Sequence, residues 1–318
     1  MEATAPAKII LFGEHAVVYG QPAIAAPVTS LRARVQLEPG PQGTGMVIDS
    51  PMTKQTLAVT LPSPEDDETL NSLIFACQLV IQRLQISPLP DLRIHLVSDI
   101  PLGRGLGSGA AIAAALIRAL CAYWGQPISN DDLNPLVYEV EKRHHGTPSG
   151  IDNTVIVYEK PVFFRRGQAL ETVHIAQPLT LLVGDTGYGT PTHIPVGDLR
   201  RLHERRPEWT SPLFERIGQI AQAARQSIES GAIHPLGALM NENHDLLQRL
   251  TVSSVELDVL CEAALAAGAH GAKMSGGGRG GNMIALVDDS IAPQVIQALQ
   301  RAGAARVVKT RVRPASEL

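Results

Sequence analysis

Three cysteines in 318 residues, Cys77, Cys121 and Cys261, are an odd number with no Cys-x-x-Cys spacing. Each lies among apolar neighbours, so they read as reduced core thiols in a cytoplasmic protein rather than as disulfide or metal ligands. A surplus of positive charge is missing as well. Lys+Arg minus Asp+Glu is 27 − 31 = −4, so no polyanionic partner is indicated and nucleic acid is not expected. No apolar run approaches the roughly 18 residues of a membrane span, and the longest, Ala110 to Leu120, is broken by Arg118. Residues Met1 to Lys8 lack the basic and apolar regions of a signal peptide. Hydrophobic residues are 44% and charged residues 18%, a balance that excludes long-range disorder. Gly 28 and Pro 23 are near average frequency, so a cluster of glycines carries local information.

What is present is a chain long enough for two domains and for a core that needs no disulfide or structural metal. Ile9 to Phe12 reads as a short apolar strand. Residues 24–60 read as a β meander, 62–68 as an acidic loop, and Thr69 to Leu84 as a helix by its apolar spacing. Leu92 to Val97 alternates as a strand. A glycine-rich turn follows, then a helix from about Gly107 to Trp124 with Gly125 after it, and another to about His145. Thr154 to Phe164 and Val173 to Val183 read as strands. Beyond them, helices are predicted from Ser211-Pro212 to Ser230, over Leu236–Leu250 and over Val255–Ala267. Strands at Ala269–Ser275 and Asn282–Val287, a helix from Ile291 to Arg301 and a strand from Arg306 to Val312 close the chain. That order predicts an α+β layer with helices on one face of an antiparallel sheet, and a domain boundary near residue 185.

Four segments carry chemistry. The first, Pro101-Leu-Gly103-Arg104-Gly105-Leu106-Gly107-Ser108-Gly109-Ala110-Ala111, joins a strand to a helix. Its glycines let backbone amides approach an anion, and the helix N-terminus adds free N–H groups and a positive dipole end. A dinucleotide site would need a second strand ending in an acid about 20 residues on, where a Gly-Gln-Pro turn stands instead. No Gly-Lys-Ser/Thr follows the glycines, so it is not a Walker A loop. The second, Lys273-Met-Ser-Gly276-Gly277-Gly278-Arg279-Gly280-Gly281, lies between two strands and can set amides against a substrate or phosphate. The third, His144-His145-Gly-Thr-Pro-Ser-Gly-Ile-Asp152-Asn153, places Asp152 at the start of a predicted strand, either as a general base or in an Asx turn. Adjacent histidines on a helix point about 100° apart and do not suit one metal ion. The fourth is Lys8 with Glu14-His15. The lysine either snorkels to solvent or faces a carboxylate or anionic ligand.

Together these segments resemble the GHMP kinases, small-molecule kinases named after galactose, homoserine, mevalonate and phosphomevalonate. Ala7-Lys8-Ile-Ile-Leu-Phe-Gly-Glu14-His15-Ala-Val-Val-Tyr-Gly20 is similar to the first motif of the branch that acts on mevalonate. The 101–111 run resembles the family's phosphate loop, 145–153 its catalytic segment and 273–281 its third motif. The four stand in the family's order across nearly the whole chain.

The resemblance implies a two-domain GHMP kinase fold of the α+β class. Residues 1–185 would form a ribosomal-S5-domain-2-like α/β domain, and 186–318 a ferredoxin-like α+β domain. It implies transfer of the ATP γ-phosphate to the 5-hydroxyl of mevalonate in isoprenoid precursor synthesis, with ATP and Mg²⁺. By resemblance Asp152 is the general base and Lys8 the cation beside it. Gly103, Gly105, Leu106, Gly107, Ser108, Gly109 and Ala110 bind ATP. Glu141 holds Mg²⁺, and His15, Glu14, Thr192, Gly276 and Gly277 lie on the acceptor side. One departure stands out: the family's loop has two serines where this chain has Ser108-Gly109, which leaves the metal to Ser108, a water or Glu141 alone. A homodimer is a further implication. The competing expectations are another acceptor, phosphomevalonate or a sugar, and a non-catalytic nucleotide binder. Phosphomevalonate would call for extra cations, with Arg104, Arg165, Arg166, Arg200 and Arg201 as candidates.

Overall fold

The computed structural model describes residues 1–50, 55–59, 68–145 and 148–314. Most of the expected acidic loop, and Gly146-Thr147 of the third segment, lie outside the described residues. The chain forms two compact units, each discontinuous in sequence. Unit one is Met1–Ala7, Leu31–Pro101 and Gly107–Glu159, and unit two is Lys8–Ser30, Leu102–Leu106 and Lys160–Leu318. Strands β1 (Glu2–Phe12) and β2 (Ala23–Pro39) pair with each other and contribute residues to both.

In unit one, β3 (Met46–Ser50) and β4 (Gln55–Ala58) form an antiparallel pair. The expected meander is interrupted, because β5 (Leu92–Ser98) takes the place between β2 and β3, antiparallel to the first and parallel to the second. The reason is burial: Leu92, Ile94 and Leu96 are completely enclosed, which demands an interior strand. Helices α1 (Glu68–Leu84), α2 (Ser108–Tyr123), α3 (Asn130–His145) and α4 (Ile151–Tyr158) pack on one another. From Ala110 to Cys121 every residue of α2 except Arg118 is buried, and its many alanines permit close packing.

Helix α4 replaces the strand expected after Thr154. Its β-branched run, Thr154-Val-Ile-Val157, favours a strand locally. Val155, Ile156 and Val157 are instead fully buried against α2 and α3, and tertiary burial outweighs local preference. Gly150, at φ 90, and the Thr154 hydroxyl, donating to Gly150 O at 2.7 Å, start the helix. Arg118 secures its far end, donating to Val157 O at 2.6 Å and to Glu159 Oε1 at 3.1 Å. The charge that breaks the longest apolar run is thus the C-terminal anchor of the helix that bears Asp152.

Unit two adds β6 (Val162–Phe164) and β7 (Glu171–Thr172), then β8 (Leu179–Asp185), α5 (His193–Arg205), α6 (Pro207–Ser230), α7 (Ile233–Arg249), α8 (Val255–Ala266), β9 (Gly271–Ser275), β10 (Asn282–Leu286), α9 (Ala292–Arg301) and β11 (Arg306–Val312). The expected antiparallel sheet forms, and its order is β11-β8-β10-β9, with α7 and α8 against β9 and α9 against β8 and β11. Strand β8, at Leu179–Asp185, starts and ends later than the strand expected over Val173–Val183 and joins this sheet rather than the one before residue 185. Helix α5 was not foreseen. Helix α6 begins at Pro207, not at Ser211-Pro212, because Thr210 is completely buried beside His203 and draws the first turn inward. Asn282 sits opposite both Asp185 and Ser275, so these three mark the sheet end where the glycine loop 276–281 departs.

Candidate active site

The loop from Pro101 to Gly107 ends on the N-terminus of α2. Gly107 is the residue before the helix, at φ 71, a left-handed conformation that a side chain resists. No acidic side chain stands in the first turn of α2. The opening N–H groups of α2 have no intrahelical acceptor and form an anion-binding end.

In unit one, Ser108 Oγ is buried and has no hydrogen-bond partner among the described residues. Next to it, a Cβ on Gly109 would stand 3.1 Å from Glu141 Oε1, so the α3 carboxylate reaches the first turn of α2. A buried hydroxyl and a carboxylate are hard oxygen donors, and their placement fits Mg²⁺ held by few protein groups. No cluster of three or more His, Cys, Asp or Glu suited to a metal exists among the described residues. Asp152 lies in the first turn of α4, partly exposed, where the helix dipole favours a carboxylate. Beside it, Asn153 is buried and donates to Asn134 Oδ1 at 2.7 Å.

Unit two gathers the remaining residues. Lys8 is 3% exposed, which removes the snorkelling alternative, and its backbone N–H donates to Leu106 O at 3.0 Å. Strand β1 then turns at Gly13 into Glu14 and His15. Glu14 and Lys273 are both fully enclosed and form a direct ion pair, with Lys273 Nζ also donating to Met274 O at 2.6 Å. Burial pushes the Glu14 carboxyl up and the Lys273 ammonium down, and each opposite charge pulls its partner back. Ser275 adds a second tie to β1: its hydroxyl accepts from Ile10 N at 3.0 Å and donates to Ile10 O at 2.9 Å.

His15 follows with a positive φ of 60, and its Nε2 lies 3.0 Å from Gly277 O. Burial lowers its pKa to about 4. The ring is therefore neutral near pH 7, and Nε2–H donates to the carbonyl. Thr192 precedes α5 and packs on the same glycine, since a Cβ on Gly277 would meet its side chain at 3.1 Å. A Cβ on Gly105 would lie 3.6 Å from Gly277 N, so the two glycine loops meet within this unit. Gly278 can be nothing else: its φ is 80, and a Cβ would be 1.9 Å from Val252 O.

The structure thus joins Glu14, His15, Gly105, Thr192, Gly276 and Gly277 in unit two, and Ser108, Gly109 and Glu141 in unit one. Lys8 belongs to unit two and Asp152 to unit one. Sequence reasoning passed over Lys273 as Glu14's partner, Ser275, Asn282 and the Arg279–Asp198 pair. Lysine inside the apolar strand Ala272-Lys273-Met274 was the available signal for the first. The three thiols are buried, as expected.

Two glycine loops, one ending on a helix N-terminus, suit the phosphates of a nucleotide, and the similarities that follow make the chain an ATP-dependent small-molecule kinase. Residues 71–160 match the GHMP kinases N terminal domain and 224–305 the GHMP kinases C terminal domain. Mevalonate kinase of Thermococcus sibiricus is 34% identical over 322 residues, 96% of this chain and 94% of that protein. Mevalonate kinase of Pyrococcus abyssi is 36% identical over 298 residues, 89% of this chain and 88% of the other. A crystal structure of L. major mevalonate kinase in complex with R-mevalonate superposes with a TM-score of 0.85 at 29% identity, covering 99% of this chain and 96% of that one. The chain belongs to the GHMP kinase family, and its relatives there include mevalonate kinases matched over most of their length. No described helix is long and apolar enough to cross a membrane.

Proposed function

We propose that the protein phosphorylates the 5-hydroxyl of mevalonate with the γ-phosphoryl group of ATP. The observation that carries this reading is its similarity, over 99% of its length, to a mevalonate kinase in complex with R-mevalonate. Asp152 is the general base: it takes the hydroxyl proton as the acceptor oxygen bonds to the γ-phosphorus and the bond from that phosphorus to the bridging oxygen breaks, releasing ADP. Lys8 is the cation that stabilises the developing alkoxide. Gly103, Gly105, Leu106, Gly107, Ser108, Gly109 and Ala110 cradle the phosphates with amides and the N-terminus of α2. His15, Thr192, Gly276 and Gly277 face the acceptor, and Glu14 holds the His15 turn through Lys273. Ser108 and Glu141 would hold Mg²⁺, which when bound neutralises phosphate charge.

Two of the arginines considered for a phosphorylated acceptor are already engaged. Arg104 donates to Gly187 O, and Arg201 pairs with Asp198. The test is ADP release from Mg-ATP with mevalonate, 5-phosphomevalonate, 5-diphosphomevalonate, galactose and homoserine, with products identified by phosphorus NMR. Release with mevalonate alone, yielding the 5-phosphate, is expected. Turnover of a different member would reassign the acceptor, and ATP binding without release would favour a non-catalytic role.

A further inference from the structure

Arg279 is an anomaly within its loop. It interrupts a run of glycines, yet keeps a left-handed φ of 51 that suits glycine better than arginine. Its contacts account for the side chain. The guanidinium forms an ion pair with Asp198 on α5 and donates through Nε to Thr251 O at 3.3 Å. Its backbone carbonyl accepts from the Thr190 hydroxyl at 2.7 Å, and its N–H donates to Val252 O at 2.9 Å. Arg279 therefore grips the chain at Thr190 and at Asp198, on either side of Thr192. Two residues before it, Gly277 packs on Thr192 and accepts from His15.

We propose that Arg279 is a positioning residue for the acceptor. With Asp198 it staples the start of α5 to the glycine loop, and so sets the spacing between Thr192, Gly277 and His15. Neighbouring contacts point the same way. Gly281 N donates to Tyr188 O at 2.7 Å, and the Thr186 hydroxyl donates at that same turn. The segment from 185 to 198 is thus tied to the loop at successive points, and Arg279 supplies its charged tie. Hydrogen bonds from Arg279 and charge from Arg201 hold the Asp198 carboxyl below its usual range, so the pair stays ionised near neutral pH. The inference rests on the acceptor-side reading of His15 and Thr192.

The test compares R279G, R279K and D198N. R279G relieves the backbone conformation while removing the guanidinium, so it separates strain from the staple. Losing a positioning contact used only by the acceptor is expected to raise KM for mevalonate roughly tenfold in R279G and D198N, leaving KM for ATP within about twofold. R279K should recover part of the loss, and the double variant R279G/D198N should be no worse than the worse single, as expected of one shared interaction. Amide hydrogen exchange of residues 188–198 in the ligand-free protein should be faster in R279G and D198N. Unchanged exchange would overturn the staple whatever the kinetics, and faster exchange with an unchanged KM for mevalonate would overturn its role in positioning. Should the wild type fail to turn over mevalonate, the acceptor reading falls, and the exchange measurement still decides whether the staple exists.

Discussion

Replacing Glu14 by Gln tests the buried pair beneath the His15 turn. Both Glu14 and Lys273 are completely enclosed. Glu14 Oε2 has no hydrogen-bond partner among the described residues, while Lys273 keeps the Met274 carbonyl at 2.6 Å. Glutamine preserves the volume but removes the charge, so Lys273 is left as a buried cation facing neutral dipoles. Removing one partner of a buried ion pair costs about 3–5 kcal/mol, because the survivor remains desolvated. At about 2–4 °C per kcal/mol for units of this size, Tm falls by on the order of 10 °C. Lys273→Met strands the carboxylate and costs a similar amount. The double variant E14M/K273M leaves no buried charge and is expected to be more stable than either single. Trp209 lies in unit two and Trp124 in unit one, so urea unfolding followed by fluorescence in a Trp124→Phe background reports on the unit that holds the pair. An E14Q protein within about 1 kcal/mol of wild type would refute the reasoning, since no buried charge could then have been stranded.

His15, with its pKa lowered from 6.5 to about 4 by burial, is held neutral by the fold. A depressed pKa contributes stability that is present above 6.5 and lost as pH falls toward 4. The wild type should therefore lose about 3 kcal/mol relative to H15Q across that window, and parallel stability–pH curves would contradict it. Ser108→Ala removes a buried hydroxyl that has no protein partner, so stability should stay level or rise by about 1 kcal/mol. The same change should raise the Mg²⁺ concentration needed for half-maximal nucleotide binding, and an unmoved titration would take Ser108 out of the metal set. Asp152→Asn should keep ATP binding and lower kcat by roughly 10²–10⁴, the usual contribution of a general base. Near-normal turnover in the folded variant would assign the proton elsewhere.

Elements with one strong local signal were legible. The apolar spacing of α1, the glycine after α2 and the alternation of β5 each specify a local geometry whatever surrounds them. Where local preference and burial disagreed, the reading went astray. Thr154 to Val157 is a strand by propensity and a helix by packing, and α6 starts before its apparent Ser-Pro cap because Thr210 is buried. The place of β5 between β2 and β3 was unreadable, because strand order depends on which side chains compete for the interior.

The sequence by itself determined the chemistry on offer. Two glycine-rich loops, an acidic residue after a Pro-Ser-Gly turn and a lysine in an apolar strand are properties of residue type and spacing, which need no neighbours to be recognised. Their family resemblance follows from the same local runs. Only the tertiary structure decided the partners. Glu14 and Lys273 are 259 residues apart in the chain, and His15 and Gly277 are 262 apart. Contacts at such separations depend on how strands and helices close on one another, and no local pattern encodes them. The same closure turned Arg118 from a break in an apolar run into the anchor of α4, and Arg279 from an oddity among glycines into a tie on the segment that carries Thr192.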